Sequence, residues 1–104
     1  PEERPPVFWW AWWPPYNDAW SHLNALVGCE MTGATGGANF TGYCNDAVQD
    51  ALDAALATGD EEEYNRLLAE IQQTISADDP PAIFYANPQQ TVAYRAGLEG
   101  VVLN

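Results

Sequence analysis

Residues 7–20 read VFWWAWWPPYNDAW, and this run holds all five tryptophans of the chain. No other stretch restricts the fold as much. Read as an extended strand, VFWWAWW sends Phe8, Trp10 and Trp12 to one face and Val7, Trp9, Ala11 and Trp13 to the other. Both faces are then apolar and both call for cover, as in a central strand of an α/β sheet. Pro14-Pro15 stops the strand, because proline brings no backbone donor to a ladder.

The rest of the chain supplies helices to do the covering. Asn17 or Asp18 can cap a short helix over AWSHLNALV, ended near Gly28, with Trp20, Leu23 and Val27 on one side. Asn45 caps a second, DAVQDALDAALA, whose apolar stripe is Val48, Ala51, Leu52, Ala55 and Leu56. Asp60 and Glu63 have the spacing of a capping box at the start of a third, with Tyr64, Leu67, Leu68, Ile71 and Ile75 as its stripe. The last two are joined by one tight turn and predict an αα-hairpin packed on the sheet. Asp78-Asp79-Pro80-Pro81 breaks the third helix; AIFYAN reads as a second strand, TVAYR as a third, and VVLN as a strand-like end. The expected class is α/β, with three helices and three or four short strands. Its core looks incomplete, since few helices are available for strands that are apolar on both sides.

Charge and cysteines narrow the function classes. The 104 residues carry a formal net charge of −12, from fifteen carboxylates against Arg4, Arg66 and Arg95. Such a balance argues against nucleic acid and anionic membranes, whose phosphates it has almost nothing to neutralise. No apolar run approaches the roughly 18 residues of a membrane span. Cys29 and Cys44 flank EMTGATGGANFTGY, a glycine- and threonine-rich loop with little apolar content. A disulfide there would remove loop entropy from the unfolded chain, worth about 3 kcal/mol, and would favour an exported protein. Two free thiols in a reducing compartment are the alternative.

Catalytic and metal motifs are thin. There is no H-E-x-x-H, no G-x-S-x-G and no phosphate loop with a lysine, so the chain is not expected to be an enzyme. GATGG reads as a flexible loop, DEEE as a solvated helix start, and His22 as a packed or surface residue with no ligand spacing to the cysteines. No metal or cofactor is expected. Asn39-Phe40-Thr41 matches the N-glycosylation acceptor pattern, which is common by chance. The tryptophans remain. Trp9 and Trp20 read as core. Four tryptophans on one strand are harder to bury, and each indole N–H wants a partner. A strand end opening onto a cleft would instead offer Trp12 and Trp13 as flat apolar walls for a ligand. Packing and ligand binding both fit the residues.

The order of segments adds to this reading. After the aromatic run come P-Y-N-D-A-W, then N-F-T-G-Y-C-N, D-A-V-Q-D-A-L-D-A-A-L-A, E-E-Y-N-R-L-L-A-E-I-Q-Q-T-I, D-D-P-P-A-I-F-Y and T-V-A-Y-R-A-G-L-E-G-V. The set resembles the C-terminal part of the family 5 extracellular solute-binding proteins, the peptide- and nickel-type receptors of ABC importers. NFTGYCNDAVQDALDAAL (39–56) carries most of the resemblance, against a family pattern N-[YF]-[ST]-G-Y-x-N-x-x-x-D-x-L. It implies part of the second lobe of a two-lobed type II periplasmic-binding-protein fold. Residues 1–81 would be the aromatic strand, short helix, disulfide loop and helical hairpin. Residues 82–104 would be an incomplete strand segment returning toward the other lobe.

The resemblance also implies a role. A small solute, peptide-like or other, would be captured between lobes and delivered to the importer's permease, the remainder of the receptor chain completing the site. Its location would be periplasmic or extracellular, free or lipid-anchored through a leader not present in this sequence. The segment matching WAWWPPY lines the cleft in peptide-binding relatives, which places Trp10, Ala11, Trp12, Trp13 and Tyr16 on one wall, with Cys29 and Cys44 pinning the loop beside the second helix. Those relatives carry an aspartate where this chain has Trp13 or Pro14. Stacking on an apolar, aromatic or sugar-like solute would then replace a salt bridge. Asp18, the nearest acid, reads as a helix cap. A non-catalytic carbohydrate-binding module, which also uses planar tryptophans, is the alternative.

Overall fold

Three helices, each capped by the side chain before it, build the protein's only extensive core among the described residues. The structure is a computed structural model that describes residues 7–13, 17–89 and 91–102. Helix α1 spans Ala19–Val27, α2 Asp46–Ala57 and α3 Glu61–Gln73. Asp18 accepts from the Ser21 N–H at 2.7 Å, Asn45 from that of Val48 at 3.2 Å and Asp60 from that of Glu63 at 2.9 Å. Each cap thereby satisfies a donor that the first helical turn leaves unpaired. These helices lie where capping and periodicity place them. Helix α1 ends at Gly28, whose N–H reaches the Asn24 carbonyl at 2.9 Å. A β-carbon at that position would sit 2.6 Å from the same carbonyl oxygen, so the tight exit requires glycine.

The buried faces follow the 3.6-residue period. Leu23 and Val27 come from α1; Val48, Ala51, Leu52 and Ala55 from α2; Leu67, Leu68 and Ile71 from α3. Leu52 and Ile71 are 0% and 1% exposed, and burying a side chain of this size contributes about 1.5–3 kcal/mol. Trp20 and Tyr64 pack at the edge of the cluster. Trp20 satisfies its indole N–H on the Leu52 carbonyl at 2.8 Å, so it belongs to the core, as its place in α1 suggests. Leu56 departs from the expected stripe: it is 65% exposed, one step past the face that α1 and α3 cover. Past α3 the backbone widens into a five-residue π turn, Thr74–Asp78, which carries Ile75 into the core. The Asp79 carboxylate then accepts from the Asn45 side chain at 2.8 Å, joining the exit of α3 to the cap of α2.

The α/β expectation is overturned. The protein is a small all-helical domain, and no sheet forms among the described residues. Residues 7–13, 82–87 and 91–95 adopt neither helix nor strand, and neither do 101 and 102 of the final VVLN. Among the described residues the only strand-like pairing is an isolated parallel bridge between Thr32 and Asn39. Apolar, β-branched and aromatic runs report a need for cover, whereas a strand exists only when a neighbour pairs its backbone. Those runs lie outside the helical core. Ile83 is 91% exposed, Tyr85 72% and Val102 78%. The radius of gyration is 16.6 Å, against about 13 Å for a compact domain of this length, as arms projecting from a small core require. The second lobe of a type II fold, with its sheet, is therefore not what the described residues form. Among the described residues, no helix is long and apolar enough to cross a membrane.

Candidate functional site

The loop between α1 and α2 is short of apolar side chains, so its shape depends on one covalent and several polar ties. Cys29 and Cys44 form a disulfide with their Cα atoms 4.6 Å apart, and the Cys29 N–H donates to the Gln49 side chain on α2 at 2.9 Å. Inside the loop, Asn39 is fully buried. Its side-chain nitrogen donates to the Gly28 carbonyl at 3.0 Å and to the Tyr43 carbonyl at 2.7 Å. Its side-chain oxygen accepts from the Tyr43 N–H at 3.1 Å and the Thr41 hydroxyl at 3.0 Å. The Asn39 N–H donates to the Met31 carbonyl at 2.7 Å. This asparagine is thus the internal clamp of the loop. Both side-chain N–H groups are committed, so the N-F-T pattern is no acceptor for a glycan in the folded protein. Gly37 passes so close to Met31 that a β-carbon would lie 2.1 Å from its carbonyl oxygen.

The aromatic run lies against this loop. The rings of Trp10 and Trp12 are 5.8 Å apart, and Trp10 meets Phe40 of the loop edge-on at 4.9 Å and 89°. Aromatic pairs at such distances contribute about 0.5–1.5 kcal/mol beyond the area they bury. Trp10 is 38% exposed and Trp13 59% exposed; Ala11 and Trp12 are half-buried. The Trp12 N–H is shut off from solvent and has no hydrogen-bond partner. Trp9 corrects the sequence reading that placed it in the core. It is 72% exposed, and its N–H donates to the Tyr85 hydroxyl, linking 7–13 to the segment after α3. Of the wall residues suggested by the sequence, Trp10 and Trp12 come together, Ala11 lies between them, and Trp13 faces outward; Tyr16 lies outside the described residues.

Beside Trp12 is an open hollow of about 360 Å³, walled by Ala25 of α1 and by Met31, Ala38 and Phe40 of the loop. No ionisable side chain lines it. Met31 carries no motif beyond its position between two cysteines, whereas Phe40 stands in the N-F-T-G-Y stretch that carries the resemblance. A second hollow of about 650 Å³ beside the disulfide shares Met31 and Thr35 with the first and also meets Glu30, Asp46 and Asp53. Among the described residues no group of three or more histidine, cysteine or acidic side chains is placed to hold a metal ion. Asp18 has both carboxylate oxygens engaged, one by the Ser21 N–H and the other by the Tyr64 hydroxyl at 2.9 Å. It is a cap and a tie to α3. Burial holds the His22 pKa below its ordinary value, which keeps the ring neutral at pH 7.

The chain matches no protein-family model, no curated protein and no solved structure. What the site can do therefore rests on its own chemistry. Planar, uncharged surfaces next to a fixed loop suit stacking and apolar contact.

Proposed function

We propose that this chain forms part of the solute-binding surface of an extracytoplasmic receptor that serves an ABC importer. The observation that carries the reading is the aromatic run, exposed at Trp10 and Trp13 and half-buried at Trp12, which packs through Trp10 on Phe40 of a disulfide-closed loop. Exposed tryptophans are scarce on a surface with no partner, and contiguous apolar patches mark binding sites. The resemblance of residues 39–56 to the family 5 receptors supports the same assignment, and a disulfide suits an oxidising compartment.

The solute rests on the indole faces, and a second surface from the remainder of the receptor chain closes over it. The exposed apolar side chains of residues 83–102 give that remainder ground to cover. Closure strengthens each contact by excluding water, as in hinge-closing receptors generally. Among the described residues no carboxylate lines the hollow beside Trp12, which favours apolar or aromatic groups over a ligand's amino terminus.

Titration of tryptophan fluorescence with phenylalanine-containing dipeptides, phenyl glycosides and free sugars tests the reading. Saturable binding to one of the first two classes is expected, weakened at least tenfold by Trp12→Ala and by Trp13→Ala. Affinity unchanged in both variants would remove the tryptophans from the site. Preference for free sugars would favour a carbohydrate-binding module instead.

A further inference from the structure

The aromatic surface continues into the hollow between Trp12 and the disulfide loop, and that hollow has a chemistry of its own. Most of its wall comes from residues between Cys29 and Cys44: Met31, the backbone at Gly36-Gly37, Ala38 and Phe40. Ala25 closes it from α1 and Trp12 from the aromatic run. At about 360 Å³ it falls at the small end of the range for ligand pockets, roughly 300–1,000 Å³. The wall also includes Thr35, whose hydroxyl is turned onto the Glu30 and Thr32 carbonyls; the remainder offers apolar faces, a polarizable thioether and no charge.

We infer that this hollow is a subsite for an uncharged, ring-bearing group of the ligand, with Met31 and Phe40 as its specificity-determining contacts. The inference rests on the receptor reading and names the part of the solute that the loop accepts. A charged group entering here would lose its hydration and find no counter-charge, whereas a ring meets a thioether and an aromatic edge, both favourable partners. The Trp12 N–H sharpens the choice. It is already withdrawn from water and unpaired, so an apolar group that fills the hollow strips no hydrogen bond from it. The loop is preorganised by the disulfide and by Asn39, so little ordering is left for binding to impose.

N-Phenyl-1-naphthylamine, a neutral dye that brightens in apolar surroundings, is a suitable probe of the full chain. Saturable one-to-one binding is expected. Phe40→Ala should weaken it at least fivefold. Ala25→Trp should do the same by filling the hollow from α1, without altering the loop. Ile83→Ala, on the exposed segment away from the hollow, should leave it within twofold. Far-ultraviolet circular dichroism confirms that α1–α3 persist in each variant. Dye affinity that survives both Phe40→Ala and Ala25→Trp, or falls with Ile83→Ala alone, would overturn the subsite. If solute binding still depended on Trp12 and Trp13 in that case, the receptor reading would stand without it.

Discussion

Asn39 shows how much structure a single side chain can carry in a loop with few apolar residues. Its amide bonds reach Gly28 at one end of the loop and Tyr43 at the other, from a fully buried position. Asn39→Ala would leave those backbone groups without partners, at a cost of about 1–3 kcal/mol. Asn39→Asp keeps the shape but replaces a donor by an acceptor facing two carbonyls, and should cost at least as much. Urea unfolding followed at 222 nm checks both; midpoints equal to that of the native chain would show that the clamp is unimportant. The sequence displays Asn39 as part of an N-F-T triplet and as the first residue of the N-F-T-G-Y stretch, neither of which announces a buried clamp. Its role depends on where residues 28 and 43 return in space, which no local pattern encodes. Asp18, by contrast, was legible, because a cap acts on the residues immediately after it.

At the level of elements, the helices could be read and the strands could not. Periodicity and capping act within four residues, so α1 and α2 begin and end, and α3 begins, where their sequences indicate, while α3 gives way to the π turn at Thr74, ahead of the break expected at Asp78. The runs VFWWAWW and AIFYAN announce an apolar surface but contain nothing that identifies a pairing partner, and none pairs with them among the described residues. One tie between elements has a pH signature. The Tyr64 hydroxyl on α3 donates to Asp18 at the head of α1, and burial, then the neighbouring carboxylate, raises its pKa above the ordinary 10.0. The unfolded chain therefore releases this proton first. The contribution is intact below pH 10 and is lost as pH rises through the folded-state value. Tyr64→Phe should be less stable than the native chain at pH 7, with a shallower loss of stability between pH 9 and 11. Parallel alkaline profiles for the two proteins would assign the fall to other groups, among them Tyr43, whose pKa is raised by burial and by Asp79.

For the whole molecule, the main fact is the contrast between a sealed three-helix core and the apolar segments outside it. Ile83, Phe84 and Tyr85 are 91%, 56% and 72% exposed, and none belongs to the core cluster. Substituting Ile83→Ser should therefore change thermal stability by no more than about 0.5 kcal/mol. The same change should reduce self-association in sedimentation velocity, because a patch of this kind is what promotes it. A large drop in melting temperature would mean that residues 82–102 contribute to the fold. The tryptophan-rich site was half legible in the same sense. The residues alone marked Trp12 and Trp13 as candidates and the resemblance added Trp10, while Met31 and Phe40 join Trp12 where the disulfide loop folds back.

The claim on which the account depends is that the indoles of the aromatic run meet a ligand while that of the helical core does not. Chains carrying ¹⁵N-labelled tryptophan give one indole N–H signal per ring, assignable by single substitutions to phenylalanine. On titration with a bound phenylalanine-containing dipeptide or phenyl glycoside, the Trp10 and Trp12 signals should shift in a saturable way. The Trp20 signal, bonded to the Leu52 carbonyl, should stay in place. Shifts confined to Trp20, or saturable binding that moves neither Trp10 nor Trp12, would contradict it.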